Sequence, residues 1–162
     1  MRATDKVRGR DEIAARVALL KKEGGKVVFT CGVFDLLHLG HVRYLEYARS
    51  LGDVLVVGVN SDASVRELGK GPLRPLVPEA ERAEVVAALG SVDYVCIYGE
   101  QRPSDTIRII RPDVHVKDAA YEGTDLPEAQ AVKDVGGVVV FAPHIEGRST
   151  SALVDRLTKA AQ

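Results

Sequence analysis

The sequence predicts a single α/β domain built on a five-stranded parallel sheet flanked by helices. Three observations predict it. Five short apolar runs rich in Val and Ile recur along the chain, and helical patterns lie between them, so strand and helix alternate from end to end. The 162 residues, 46% of them hydrophobic, suit one hydrophobic core. No internal repeat or low-complexity segment interrupts the alternation.

The elements follow in order. At 11–22, DEIAARVALLKK sets Ile13, Val17 and Leu20 at helical spacing behind Asp11 as a candidate N-cap, and Gly24-Gly25 stops the helix. Residues 1–25 are therefore expected as an N-terminal helical extension of a main domain over 26–162. Strands are expected at 26–30, 53–59, 92–97, 113–117 and 137–141, each a short β-branched run. Helices are expected near 41–51, 61–68, 79–89, 104–110, 127–135 and 150–159. Between them, GKGPLRPLVP at 69–78 holds three prolines, two glycines and two cations, the composition of an irregular loop beside a ligand. The alternation describes a Rossmann-like arrangement, in which ligands bind beyond the C-terminal ends of the strands.

Composition narrows the function classes. The 22 basic and 23 acidic residues are mixed along the chain and give a formal net charge of -1, so no extended basic face for nucleic acid polymers is expected. No run approaches the roughly eighteen apolar residues of a membrane span, and the charged start of the chain lacks a signal-peptide core. A cytoplasmic location is the expectation. Cys31 and Cys96, each in an apolar neighbourhood, suit reduced structural thiols better than a disulfide framework or a zinc set.

The chemistry concentrates in the loop after the first strand, TCGVFDLLHLGH at 30–41. Gly32 is expected to allow a tight turn and Gly40 a close approach by a ligand. His38 and His41 stand three apart at a helix start and share one face, where free N–H groups and the helix dipole favour an anion. A bound phosphate would raise both imidazole pKa values, so the pair would donate hydrogen bonds and stabilise charge developing on a triphosphate. Two histidines in this spacing also suit surface residues or half of a metal site. A zinc site needs a third ligand, and His115 and His144 lie far along the chain with no supporting Cys or Glu spacing. A dinucleotide-binding dehydrogenase is disfavoured because the turn lacks the Gly-x-Gly-x-x-Gly pattern.

With these residues in view, VFTCGVFDLLHLGHVRYLEYARSLGD resembles the opening of the cytidylyltransferase-like nucleotidyltransferases, whose mark is a His-x-Gly-His motif. Downstream, LVVGVNSDASVRELGKGPLRPL, ERAEVVAAL, VDYVCIY, RPDVHVK and EGRSTSALV are similar, in order, to segments of the D-glycero-β-D-manno-heptose 1-phosphate adenylyltransferases. The resemblance spans roughly 26–156. It implies that ATP and Mg²⁺ are used, with Thr30, Gly32, the Val33 and Phe34 backbone, His38, Gly40, His41, Lys117, Gly147, Arg148, Ser149 and Thr150 at the nucleotide. It puts Asp35, Asn60, Lys70, Arg82, Lys117 and Asp118 at the sugar phosphate, with His38, His41, Lys70 and Arg82 as the catalytic set and no dedicated metal ligand. Taken without the resemblance, Lys70 also suits a solvated loop charge, Arg82 a surface ion pair, and the 146–151 turn a plain N-cap. The chain departs from its relatives at Lys117-Asp-Ala-Ala-Tyr121, where they commonly carry Lys-Gly-Gly-Asp-Tyr.

The implied reaction is attack by the sugar-phosphate oxygen on the α-phosphorus of ATP, with pyrophosphate leaving. A phosphate monoester near pH 7 is already largely dianionic, with a second pKa of about 6, so no general base is demanded. The protein's task is to position two anions and neutralise the leaving group. Mg²⁺ would bridge the nucleotide phosphates, held by their oxygens and water. A homodimer and the supply of ADP-heptose for a surface polysaccharide are further implications of the resemblance. Two alternatives stand beside it: a cytidylyltransferase acting on glycerol 3-phosphate or a related phospho-alcohol, and a noncatalytic nucleotide-binding module.

Overall fold

A computed structural model describes residues 2–69, 71–143 and 150–160. Its elements are α1 (Ala3–Lys6), α2 (Arg10–Lys22), β1 (Val27–Gly32), α3 (Leu39–Ser50), β2 (Val54–Asn60), α4 (Asp62–Glu67) and α5 (Glu79–Ala87). After these come β3 (Tyr94–Tyr98), α6 (Ser104–Ile110), β4 (Val114–Asp118), a 3₁₀ turn (Ala119–Tyr121), α7 (Ala129–Asp134), β5 (Val138–Ala142) and α8 (Thr150–Ala160). The five strands form one sheet in the order β3-β2-β1-β4-β5, every pairing parallel. The fold class is the one the alternating pattern predicts.

Strand alternation sorts the core onto two faces. Val28 of β1 with Leu55, Val57 and Val59 of β2 packs against Leu45 and Ala48 of α3 and Val86 of α5. On the other face, Val27 and Phe29 of β1 and Val56 of β2 pack against Ile13 and Val17 of α2, Ile107 and Ile110 of α6, and Val132 of α7. Each fully buried Val or Ile contributes about 1.5–3 kcal/mol. The N-terminal helix thus shares the core of the main domain, and Val7 pairs in parallel with Val95 at the β3 edge. Its N-cap is Gly9 rather than Asp11, because the helix begins one residue earlier than the apolar spacing marks it. Gly24, at φ 84°, follows its end.

The strand order fixes where a ligand binds. Chain direction along the sheet reverses between β1 and β4, so the loops leaving these neighbouring strands part and leave a crevice at their C-terminal ends. The loop after β1 and the Lys117–Tyr121 segment after β4 flank it. Among the described residues, no helix is long and apolar enough to cross a membrane.

Candidate functional site

The loop from β1 to α3 is held from beneath. Phe34 takes φ 49°, in the left-handed region that costs a non-glycine residue roughly 1–2 kcal/mol. Its buried ring lies 3.2 Å from where a Cβ on Gly32 would stand. Gly32 therefore serves to admit the Phe34 ring; its own φ is not positive, which corrects the tight-turn expectation.

Arg82 and Asp35 secure this conformation. Arg82, on α5, is 1% exposed and donates to Val77 O at 2.8 Å, Val33 O at 2.5 Å, Asn60 O at 2.8 Å and Asp62 Oδ1 at 2.7 Å. Arg82 ties the β1 loop to the end of β2, and its buried guanidinium is spent on protein acceptors. The expectation that it meets substrate is corrected to a supporting one. The Asp35 carboxylate is likewise buried. It accepts from the Leu76 and Val77 amides at 2.9 Å and pairs with Arg74, so it anchors the irregular loop instead of facing a sugar. Burial alone would raise its pKa, but the two amides and the guanidinium outweigh that and hold it below the usual carboxylate range.

Thr30 and Asn60 are spent in the same way. Thr30 is fully buried, and its hydroxyl joins the Tyr44 hydroxyl at 2.6 Å and Val116 O at 3.0 Å, pinning β1, α3 and β4 together. Asn60, 3% exposed, donates to Ser64 Oγ at 3.2 Å. Neither side chain is presented to a ligand, which corrects both expectations to support of the strand ends.

The histidines open α3. His38 is its N-cap, in extended backbone with φ -144° and ψ 171°, followed by Leu39 and Gly40 in the first turn. His41 stands at the third helical position, its ring 3.9 Å from that of His38 and 5.4 Å from Phe34, centroid to centroid. The His38 amide donates to His41 Nδ1 at 3.4 Å, so Nδ1 is the acceptor and Nε2 carries the proton of the neutral ring. Burial, reinforced by the neighbouring His38 ring, pushes the His41 imidazole down to about 4. His41 is thus a neutral donor near pH 7, and only an arriving anion would draw it toward imidazolium.

A second helix start meets this one. Thr150, the first residue of α8, donates its hydroxyl to Leu36 O at 3.3 Å, two residues before His38. Across the crevice, Lys117 near the end of β4 pairs with Glu128 Oε1 at 3.0 Å and lies 4.7 Å from the centre of the Tyr121 ring. Asp118 caps the 3₁₀ turn, accepting from the Ala120 amide at 2.8 Å. Lys70, Gly147, Arg148 and Ser149 lie outside the described residues.

Sequence reasoning missed the partners beneath these groups: Tyr44, Arg74, Glu128 and His115. Two had a signal. Tyr44 follows His41 by one helical turn, and His115 stands two residues before Lys117 on a strand, hence on the same face. Among the described residues no group of three or more His, Cys, Asp or Glu side chains is arranged to hold a metal.

The α3 start with the neutral His41 imidazole beside His38, the Thr150 start of α8 and Lys117 lie at the C-terminal strand ends of a doubly wound α/β domain, the edge at which such sheets take their ligands. Residues 29–153 match the family model described as cytidylyltransferase-like. The chain is 45% identical over 155 residues to the bifunctional protein HldE of Geobacter sulfurreducens, covering 96% of this chain and 31% of that protein. With HldE of Streptomyces coelicolor it shares 49% identity over 152 residues, 94% of this chain and 33% of that one. The chain thus spans about a third of the length of these curated relatives. Among solved structures, the lipopolysaccharide core biosynthesis protein of Thermoplasma volcanium aligns with TM-score 0.64 and 29% identity, over 77% of this chain and all of that one. Pantoate-beta-alanine ligase of Francisella tularensis, complexed with beta-gamma ATP and beta-alanine, aligns with TM-score 0.58 over 90% of this chain and 68% of that one; at 15% identity it speaks to the fold alone. The chain belongs to the cytidylyltransferase-like family of nucleotidyltransferases.

Proposed function

We propose that the chain transfers the adenylyl group of ATP to D-glycero-D-manno-heptose 1-phosphate, giving ADP-heptose and pyrophosphate. The observation that carries this reading is the meeting of two helix starts, marked by His38–His41 and by Thr150, beside Lys117 at the sheet's reversal point. The first start faces the triphosphate. His41 Nε2–H and the α3 amides donate to oxygens whose charge grows as pyrophosphate leaves, and Gly40 lets them approach. Arg148, Ser149 and Gly147 would complete the grip from the second start, and Lys70 would close on the sugar phosphate.

Lys117 meets the incoming phosphate, which needs no base because it is already an anion. Val33 and Phe34 offer their backbone to the nucleoside, in a loop kept in place by Arg82 and Asp35. The donor set suits anions and not a bare cation: Asp35 and Asp62 are spent on arginines. Mg²⁺ would therefore arrive on the triphosphate with its own water and phosphate ligands. The reaction is placed in the cytoplasm, by a homodimer, in supply of a surface polysaccharide.

Pyrophosphate release with ATP, CTP, GTP or UTP, each paired with heptose 1-phosphate or glycerol 3-phosphate, tests the reading. Release with ATP and heptose 1-phosphate is expected. Release with CTP and glycerol 3-phosphate instead would assign the sister activity, and binding without release in every pair would leave a noncatalytic module. Light scattering checks the dimer.

A further inference from the structure

Beneath Lys117 lies a buried charge cluster that the reaction as described does not use. Glu128, at the N-cap of α7, is 4% exposed, and its Oε1 is shared between Lys117 Nζ at 3.0 Å and His115 Nε2 at 3.6 Å. His115 is fully buried on β4, stacked on Phe29 with ring centroids 5.5 Å apart. Its Nδ1 lies 3.2 Å from Phe29 O. A carbonyl only accepts, so Nδ1 carries the proton, and in the neutral ring Nε2 presents a lone pair toward a carboxylate oxygen. That nitrogen is buried and has no hydrogen-bond partner. An orphaned buried polar atom is costly, and here a single proton would turn a repulsive contact into a hydrogen-bonded ion pair.

Burial, together with the Lys117 ammonium beside it, withholds the proton. Burial opposes charge on both partners, yet the Lys117 ammonium holds the Glu128 carboxyl below its usual range, while burial keeps the imidazole below its ordinary value. With lysine on glutamate, the cluster is neutral without a second cation. Among the described residues the other titratable groups here are Cys31 from β1, whose thiol burial pushes up, Tyr98 from β3 beside Cys31, and Tyr121 from the 3₁₀ turn. None of them is a cation.

We propose that His115 is the reserve cation of this site: when a phosphate draws Lys117 off Glu128, His115 takes up a proton at Nε2 and replaces lysine as the partner of the carboxylate. The exchange rests on the phosphate role given to Lys117 above. Its value is physical. A buried carboxylate stripped of the cation paired with it is costly, and that cost would otherwise be subtracted from substrate binding. Protonation of His115 relieves that cost, so Lys117 is released to the ligand while Glu128 still fixes the base of the site. Glu128 and His115 are then positioning residues acting through Lys117.

The test uses the whole chain labelled with ¹⁵N in its imidazoles and lysine ammonium groups, titrated with inorganic phosphate and then with heptose 1-phosphate. As the Lys117 signal moves, the His115 Nε2 resonance is expected to pass from its unprotonated to its protonated position. Calorimetry in buffers of different ionisation enthalpy should find that Glu128→Gln takes up fewer protons per ligand than the native chain, by as much as one. A Lys117 signal that moves while His115 Nε2 stays unprotonated overturns the proposal, as does equal proton uptake in Glu128→Gln. A Lys117 signal unmoved by either ligand overturns it too. A full response to inorganic phosphate with no binding of heptose 1-phosphate would sustain the exchange and defeat only the substrate assignment.

Discussion

The two edges of the sheet use the same groups, carboxylates and backbone amides, to opposite ends. At the N-terminal edge three aspartates stand one residue before β2, β3 and β4 and close their neighbours' free amides. Asp53 takes Lys26 N–H at 2.7 Å, Asp93 takes Leu55 N–H at 2.8 Å, and Asp113 takes Val27 N–H at 2.8 Å. Their own amides return the bond, as in Asp53 N–H to Lys26 O at 2.8 Å. At the C-terminal edge the strands run into helix starts, whose amides and dipoles point at the crevice. There, Arg82 and Asp35 brace the loops from inside, and the proposed ligand contacts fall to His38, His41 and Lys117. Aspartates close the amides at one edge, and helix starts leave amides for a ligand at the other.

Breaking a brace at the C-terminal edge should have the largest effect. Arg82→Met leaves three carbonyls and Asp62 without their buried cation, a loss of about 3–5 kcal/mol. At this chain length that corresponds to a fall of roughly 10 °C or more in melting temperature. Activity should disappear with the fold, so urea denaturation and pyrophosphate release fail together. A native melting point with lost turnover would return Arg82 to the ligand.

His41→Ala should show the reverse. Removing a donor from the developing charge costs about 10²–10³-fold in turnover, with a far-ultraviolet circular dichroism spectrum like that of the native chain. Near-native rates would remove the phosphate role. Smaller still, Asp53→Ala deletes one bond at the opposite edge. It should cost about 1 kcal/mol, a shift of roughly 2–4 °C, and leave kcat/KM unaltered. A changed kcat/KM would mean that the two edges are coupled.

The same contrast explains what was legible. Short continuous apolar runs specified all five strands, because a parallel strand covered by helices on both faces is apolar on both. The helix start that carries His38, Gly40 and His41 was readable for a similar reason, because a helix start after the first strand is a local feature. Arg82, Asp35, Asn60 and Thr30 misled because a polar residue at a strand end has the same sequence signature whether it meets a ligand or braces a loop. The partner that decides the matter lies far along the chain, as Arg82 does from Val33 and Asp35 from Leu76. Glu128 lay hidden likewise, since its partners Lys117 and His115 come from another element.

Acid gives a further test of the two edges. His41 titrates near 6.5 when unfolded and at about 4 in the fold. Between those values the unfolded chain binds more protons, so stability is intact above about pH 6.5 and declines as pH falls toward 4. Glu128, held at about 2, adds a decline of the same sign only below its ordinary range near 4.5. His115, lowered by burial, adds a decline of the same sign that begins below about pH 6.5. Melting temperatures compared at pH 7 and pH 5 for the native chain and His41→Asn separate the contributions. The native chain should lose more on acidification than the variant, by the part that belongs to His41. Equal losses would mean that His41 is as accessible to protons in the fold as in the unfolded chain, and that the α3 start presents a charged imidazole before any anion arrives.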